Sequence, residues 1–142
     1  MKYNFSNITI LIAEDDACNQ FFFKAVFKPT NASIIIVENG QQAVEYVQKN
    51  PDIQIALLDI KMPVLDGLEA ARIIKNINKN LPLIAQTAYS DQSQLKTTLE
   101  AGFDGFITKP IKQDELFNLI RSYQFRLRRP RYKTMSYLSD LT

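Results

Sequence analysis

Five times along this chain a short apolar run is followed by a segment with helical spacing, and that alternation limits the possible folds more than any other feature. "ITILIA" (Ile8–Ala13) is apolar and β-branched, the signature of a strand buried on both faces of a parallel sheet. "ACNQFFFKAVFK" follows, with Phe22/Val26 and Phe23/Phe27 at i, i+4, which predicts a helix capped by Asp16 and ended by Pro29. "SIIIV" (Ser33–Val37) predicts strand two. "NGQQAVEYVQKN" predicts a helix with Ala43, Val44 and Val47 on one face, stopped by Pro51. Strand three is Ile53–Asp59, followed by the helix "LDGLEAARIIKNI", for which Asp66-Gly67 is the start signal. Strand four is Pro82–Ala88, followed by "SDQSQLKTTLEAG", closed by Gly102 at C′. Asp104–Pro110 holds a short fifth strand before "KQDELFNLIRSYQF".

Strict β-α alternation with short connections predicts an α/β domain built on one parallel sheet. A closed barrel would need eight units and roughly 250 residues. Five units in 142 residues predict an open, flavodoxin-like (βα)5 sheet in the order 2-1-3-4-5, with helices on both faces. The expected division is a domain over residues 1–125 and a basic tail over 126–142. Charge supports it: residues 1–120 hold 11 Lys+Arg against 14 Asp+Glu, and residues 121–142 hold 6 Lys+Arg against one Asp. We read the tail as a solvated helix end, where cations also suit the helix dipole.

Composition narrows the chemistry. There is no histidine, which removes His-based zinc sites, Ser-His-Asp triads and any phosphohistidine of the chain's own. A single cysteine, Cys18, excludes an internal disulfide and is expected to be a small core residue. No run approaches the roughly 18 apolar residues of a membrane span. Nor does "MKYNFSNITIL" read as a secretory leader, so a cytoplasmic setting is expected.

In an open α/β sheet, ligands bind outside the carboxyl ends of the strands, at the topological switch point. Glu14 and Asp15 follow strand one, Asp59 ends strand three, Thr87 ends strand four, and Lys109 follows strand five. Three carboxylates, a hydroxyl and an ammonium are thereby predicted to converge on one edge. Lys109 offsets one of three negative charges. The remainder, on hard oxygen ligands, calls for Mg²⁺.

The motifs "ILIAEDD", "ALLDIKMPVLDG", "AQTA" and "GFITKP" resemble the receiver domain of two-component response regulators, of the type found in hybrid histidine kinases, over about residues 7–123. The resemblance implies that Asp59 is the phosphoacceptor. Asp15 would ligate Mg²⁺ directly, Glu14 mostly through water, and the main-chain carbonyl of Lys61 would be a further ligand. Thr87 would bond the phosphoryl group, Lys109 would pair with it, and Phe106 would be the aromatic switch partner of Thr87. The Lys109–Pro110 bond is expected to be cis. The donor would be a histidine kinase or His-phosphotransfer protein. The output face would be helix four, strand five and helix five, engaging a protein partner or a second copy, with no nucleic acid directly bound. Helix four, with little large apolar surface beyond Leu95 and Leu99, suits a moving element. Lys61 and Tyr89, two past the phosphoacceptor and two past Thr87, would tune the lifetime of the acyl phosphate. The chain departs from the commoner Asp-Asp pair in having Glu14-Asp15, and Phe106 lacks a tyrosine hydroxyl.

Three other functions share features with this one. A flavin binder of the same fold would want a Ser/Thr/Gly-rich phosphate loop where this chain has acids. A haloacid-dehalogenase-type phosphatase would want an acid two residues after the nucleophile, where this chain has Lys61. A non-phosphorylated receiver-like interaction module would not need the phosphorylation residues, all of which are present.

Overall fold

The computed structural model describes residues 3–88 and 92–127. Its elements are β1 (Thr9–Ala13), α1 (Ala17–Phe27), β2 (Ser33–Val37), α2 (Gly40–Lys49), β3 (Ile55–Asp59), α3 (Gly67–Ile77), β4 (Leu83–Thr87), α4 (Gln92–Glu100), β5 (Gly105–Thr108) and α5 (Gln113–Leu127). All strand pairs are parallel and the order is β2-β1-β3-β4-β5, as the alternation predicts. Residues 128–142 of the basic tail, and Tyr89, lie outside the described residues.

The sheet separates two apolar layers. On one face Leu11, Ala13, Ala56, Leu58, Leu83 and Ala85 pack against α2 and α3. On the other, Ile10, Ile12, Ile55, Leu57, Ile84 and Ile107 pack against α1 and α5. The alternation along each strand is the period-2 geometry of a pleated strand. β1, β3 and β4 are buried on both faces, whereas the edge strand β2 is half-exposed. The α1/α5 layer is rich in aromatic rings. The Phe117 ring stands 5.0 Å from Tyr3, 5.7 Å from Phe5 and 5.3 Å from Phe27, contacts worth about 0.5–1.5 kcal/mol each beyond area burial.

Helix ends follow their local chemistry. Asp16, Asn39 and Asp66 each accept a hydrogen bond from the backbone N–H three residues on. Gly102, with φ +112°, closes α4 in a Schellman motif: Phe103 N–H donates to Thr98 O and Gly102 N–H to Leu99 O. Pro29 ends α1 through a 3₁₀ turn over Lys28–Thr30. In "FFF", Phe23 is buried and Phe21 is 73% exposed, because three consecutive residues sweep most of a helix circumference.

The expectation for Cys18 is corrected. It is exposed. The buried stripe of α1 runs through Phe23 and Phe27, and Cys18, five residues before Phe23, falls on a different face at 3.6 residues per turn.

Candidate phosphorylation and metal site

At the carboxyl edge of β1 and β3, Glu14, Asp15 and Asp59 each offer an oxygen, and these oxygens lie within 4.8 Å of one another. Parallel register produces this convergence. Ala13 pairs with Leu58, so the residues that follow, Glu14 and Asp59, meet side by side. Asp15 is exposed, while Glu14 and Asp59 are buried.

Asp59 is held from two sides. Lys109 Nζ lies 2.6 Å from Oδ2, and the Lys61 main-chain N–H donates to Oδ1 at 3.1 Å. Lys109 is carried there by the end of β5, where its N–H donates to Thr87 O at 2.8 Å and the Lys109–Pro110 bond is cis. The loop after β3 is tied down by Gly67, whose N–H donates to Ile60 O at 2.8 Å. A Cβ on Gly67 would press into Asp59 O and Ile60 Cα, so only glycine lets α3 start this close to Asp59. Within the loop, Leu65 N–H donates to Pro63 O at 2.7 Å across Val64, whose φ is +68°. That is a γ-turn with a β-branched residue in the left-handed region.

Glu14 is the most deeply buried of the three acids. Its Oε2 accepts from Asp16 N–H at 3.1 Å, but Oε1 is buried with no partner. Burial, and then the Asp59 charge, push its carboxyl above the usual range, against the opposing Asp16 hydrogen bond, Lys109 and the Asn19 side chain. An orphaned carboxylate oxygen beside two further carboxylates fits a hard divalent cation. A groove of about 550 Å³, lined by Asp15, Lys61, Met62, Pro63, Asp66 and Gln94 among others, opens beside these acids.

Thr87 is buried at the end of β4. Phe106 pairs in register with Ala85, on the same sheet face as Thr87, and is 39% exposed. Two features escaped the sequence reading. The γ-turn at Val64 has no residue signal, because valine is disfavoured there. Gln86 in "AQTA" is the second, and its signal is an amide in a strand buried on both faces.

An open parallel sheet with an acid cluster at its switch point and a lysine clamped on the central aspartate defines a phosphoryl-accepting class of domain. The family model "Response regulator receiver domain" matches residues 10–121, and the chain belongs to that family. It is 34% identical over 121 residues to hybrid signal transduction histidine kinase I of Dictyostelium discoideum, covering 80% of this chain. The chain spans between 7% and 35% of the length of the first curated relatives it matches. It superposes with TM-score 0.76 and 30% identity on the receiver domain of the Pseudomonas aeruginosa sensor histidine kinase PA1611, a structure with magnesium in the active-site cleft, covering 82% of this chain and 97% of that one. It also superposes, with TM-score 0.74 and 28% identity, on the receiver domain of the Saccharomyces cerevisiae response regulator Ssk1, crystallised with the histidine phosphotransfer protein Ypd1 (79% and 85% covered). Among the described residues no helix is long and apolar enough to cross a membrane.

Proposed function

We propose that this chain accepts a phosphoryl group on Asp59 from a phosphohistidine on a partner protein and passes the signal on through its α4-β5-α5 face. The observation that carries the reading is the Asp59 carboxylate, buried, clamped at 2.6 Å by Lys109, and flanked by Glu14 and Asp15. A carboxylate oxygen of Asp59 attacks phosphorus in line. The P–O bond forms as the P–N bond breaks, and the electron pair returns to the imidazole nitrogen, which takes a proton from water. The nucleophile is the carboxylate paired with Lys109, which has no proton to lose and so needs no general base. Glu14, Asp15 and Asp59, with the Lys61 carbonyl, would hold Mg²⁺, which when bound supplies the positive charge that the phosphoryl oxygens need.

Lys109 follows the negative charge outward onto the phosphoryl oxygens, and the Thr87 hydroxyl turns toward them. Phe106, half out of the sheet face, moves into the space Thr87 vacates. That motion carries the covalent event to α4, β5 and α5. The receiver complexed with a histidine phosphotransfer protein supports a donor of that kind, and the hybrid-kinase relative supports a relay setting. Lys61 and Tyr89 would shield the acyl phosphate from water, giving self-dephosphorylation over minutes or longer. Lys61→Asn/Tyr89→Glu should then shorten the decay of labelled protein, and unchanged decay would remove the shielding role.

The deciding experiment is incubation with acetyl phosphate and Mg²⁺, read by intact mass. The wild type should gain one phosphoryl group, and Asp59→Asn or chelation should abolish the gain. Equal labelling of Asp59→Asn overturns the assignment. No labelling of the wild type would point instead to a receiver used purely for protein interaction.

A further inference from the structure

Gln86 is fully buried, and both its polar atoms, Oε1 and Nε2, lack a hydrogen-bond partner. It interrupts the otherwise apolar stretch Leu83-Ile84-Ala85, where a leucine would fill similar volume and leave nothing unpaired. Retaining an amide there is costly unless some state of the protein uses it.

Register places that amide beside the chemistry. Gln86 pairs with Asp59 on one side and Ile107 on the other. Glu14, Asp59 and Gln86 therefore form one polar row across β1, β3 and β4. The row lies on the α1/α5 face, since Ile12, Leu57 and Ile84, two residues before each member, all pack in that layer. Lys109 reaches from the end of β5 to Asp59 on β3, so its side chain must cross the intervening strand, β4, to which Gln86 belongs.

We infer that Gln86 is a positioning residue of the phosphorylation site, its carboxamide bridging Asp59 and Lys109 once Asp59 carries the phosphoryl group. This rests on the reading of Asp59 as the phosphoacceptor. In the unphosphorylated site Lys109 serves Asp59 Oδ2 directly and the amide has no work. Phosphorylation moves negative charge onto the phosphoryl oxygens, and the ammonium follows it. The phosphorylated Asp59 then presents more acceptor oxygens than Lys109 alone can serve, and one further donor is wanted. Nε2–H of Gln86 supplies that donor, while Oε1 accepts one of the three ammonium protons of Lys109 and keeps the cation aimed. Both orphaned ends are satisfied in a single state, the phosphorylated one.

The test uses the full chain with beryllofluoride as the probe of the phosphorylated state, in Mg²⁺, followed by ¹⁵N NMR. The Gln86 side-chain NH₂ pair is assigned by its absence in Gln86→Met. On binding, that pair should shift in the wild type. Gln86→Met and Gln86→Leu should melt no lower than wild type, yet bind beryllofluoride about tenfold more weakly. A purely structural amide would change the melting temperature and leave both other readouts still. An unmoved NH₂ pair, or unchanged affinity in folded variants, overturns the inference while leaving the Asp59 reading intact. A wild type that binds no beryllofluoride overturns both. If the variants fail to fold, the NH₂ pair is assigned by through-bond correlation in the wild type, and its shift alone decides.

Discussion

At the residue scale, the site is a set of groups held in costly states. Glu14 is buried with an orphaned oxygen, and its carboxyl titrates above its ordinary value of 4.5 because of burial first and Asp59 second. Between the ordinary and the raised value the folded chain binds more protons than the unfolded one. Stability contributed by the neutral acid is thus full below the ordinary value and is lost as pH rises through the raised one. Glu14→Gln should remove that slope and raise the stability of the metal-free protein at neutral pH by roughly 1 kcal/mol, about 3 °C in Tm. It should also weaken Mg²⁺ binding about tenfold. Melts across acidic to neutral pH and calorimetric titration with Mg²⁺ check both halves, and a variant that loses stability would show that Glu14 is satisfied where it lies. Val64 is the second case. At φ +68° and 81% exposed, it gives up little packing on mutation. Val64→Gly should stabilise the chain by about 1 kcal/mol, seen as a higher urea midpoint with unchanged slope.

At the element scale, two glycines separate stability from site geometry. Gly67 starts α3 against the backbone of Asp59 and Ile60, so Gly67→Ala must push the helix away from the phosphoacceptor. Overpacking of that kind costs about 1–3 kcal/mol. Gly102 closes α4 at the opposite edge of the sheet with φ +112°, where a Cβ would meet the flexible Lys75 side chain. Gly102→Ala should cost upwards of about 1 kcal/mol from the backbone alone. Both variants should melt lower, and only Gly67→Ala should slow labelling by acetyl phosphate. Equal labelling rates would mean that the loop after β3 absorbs the shift without moving Asp59.

At the scale of the whole molecule, the two layers are unequally secured. α5 buries Leu116, Phe117, Ile120 and Tyr123 beneath the aromatic cluster, whereas α4 buries Thr98 and leaves Leu99 53% exposed. Few buried contacts mean a low free energy of local opening. Amides of α4 should therefore exchange with deuterium well before those of α5 or β3 in the unphosphorylated chain. Beryllofluoride should change protection chiefly in α4, β5 and α5. Equal protection of α4 and β3 would argue against α4 as the moving element. The same looseness was legible in the polar composition of "SDQSQLKTTLEAG".

What the sequence alone determined is the order of elements, the parallel sheet and the acids at its edge. Those depend on short-range periodicity and on the rule that strand ends meet at a switch point, both readable from residues near in the chain. The caps at Asp16 and Asp66 and the closure at Gly102 were legible for the same reason. Tertiary structure alone decided three things. Cys18 was expected inside and is exposed, because the phase of a helix against its sheet is set by which aromatic residues fill the core. Glu14 and Asp15 are neighbours in sequence, yet one is buried with an orphaned oxygen and the other is exposed, since the Glu14 N–H still donates to Val37 O of β2 while Asp15 lies in the segment that leads to α1. Gln86 acquires meaning only through register with Asp59, a relation between strands 27 residues apart that no local pattern encodes.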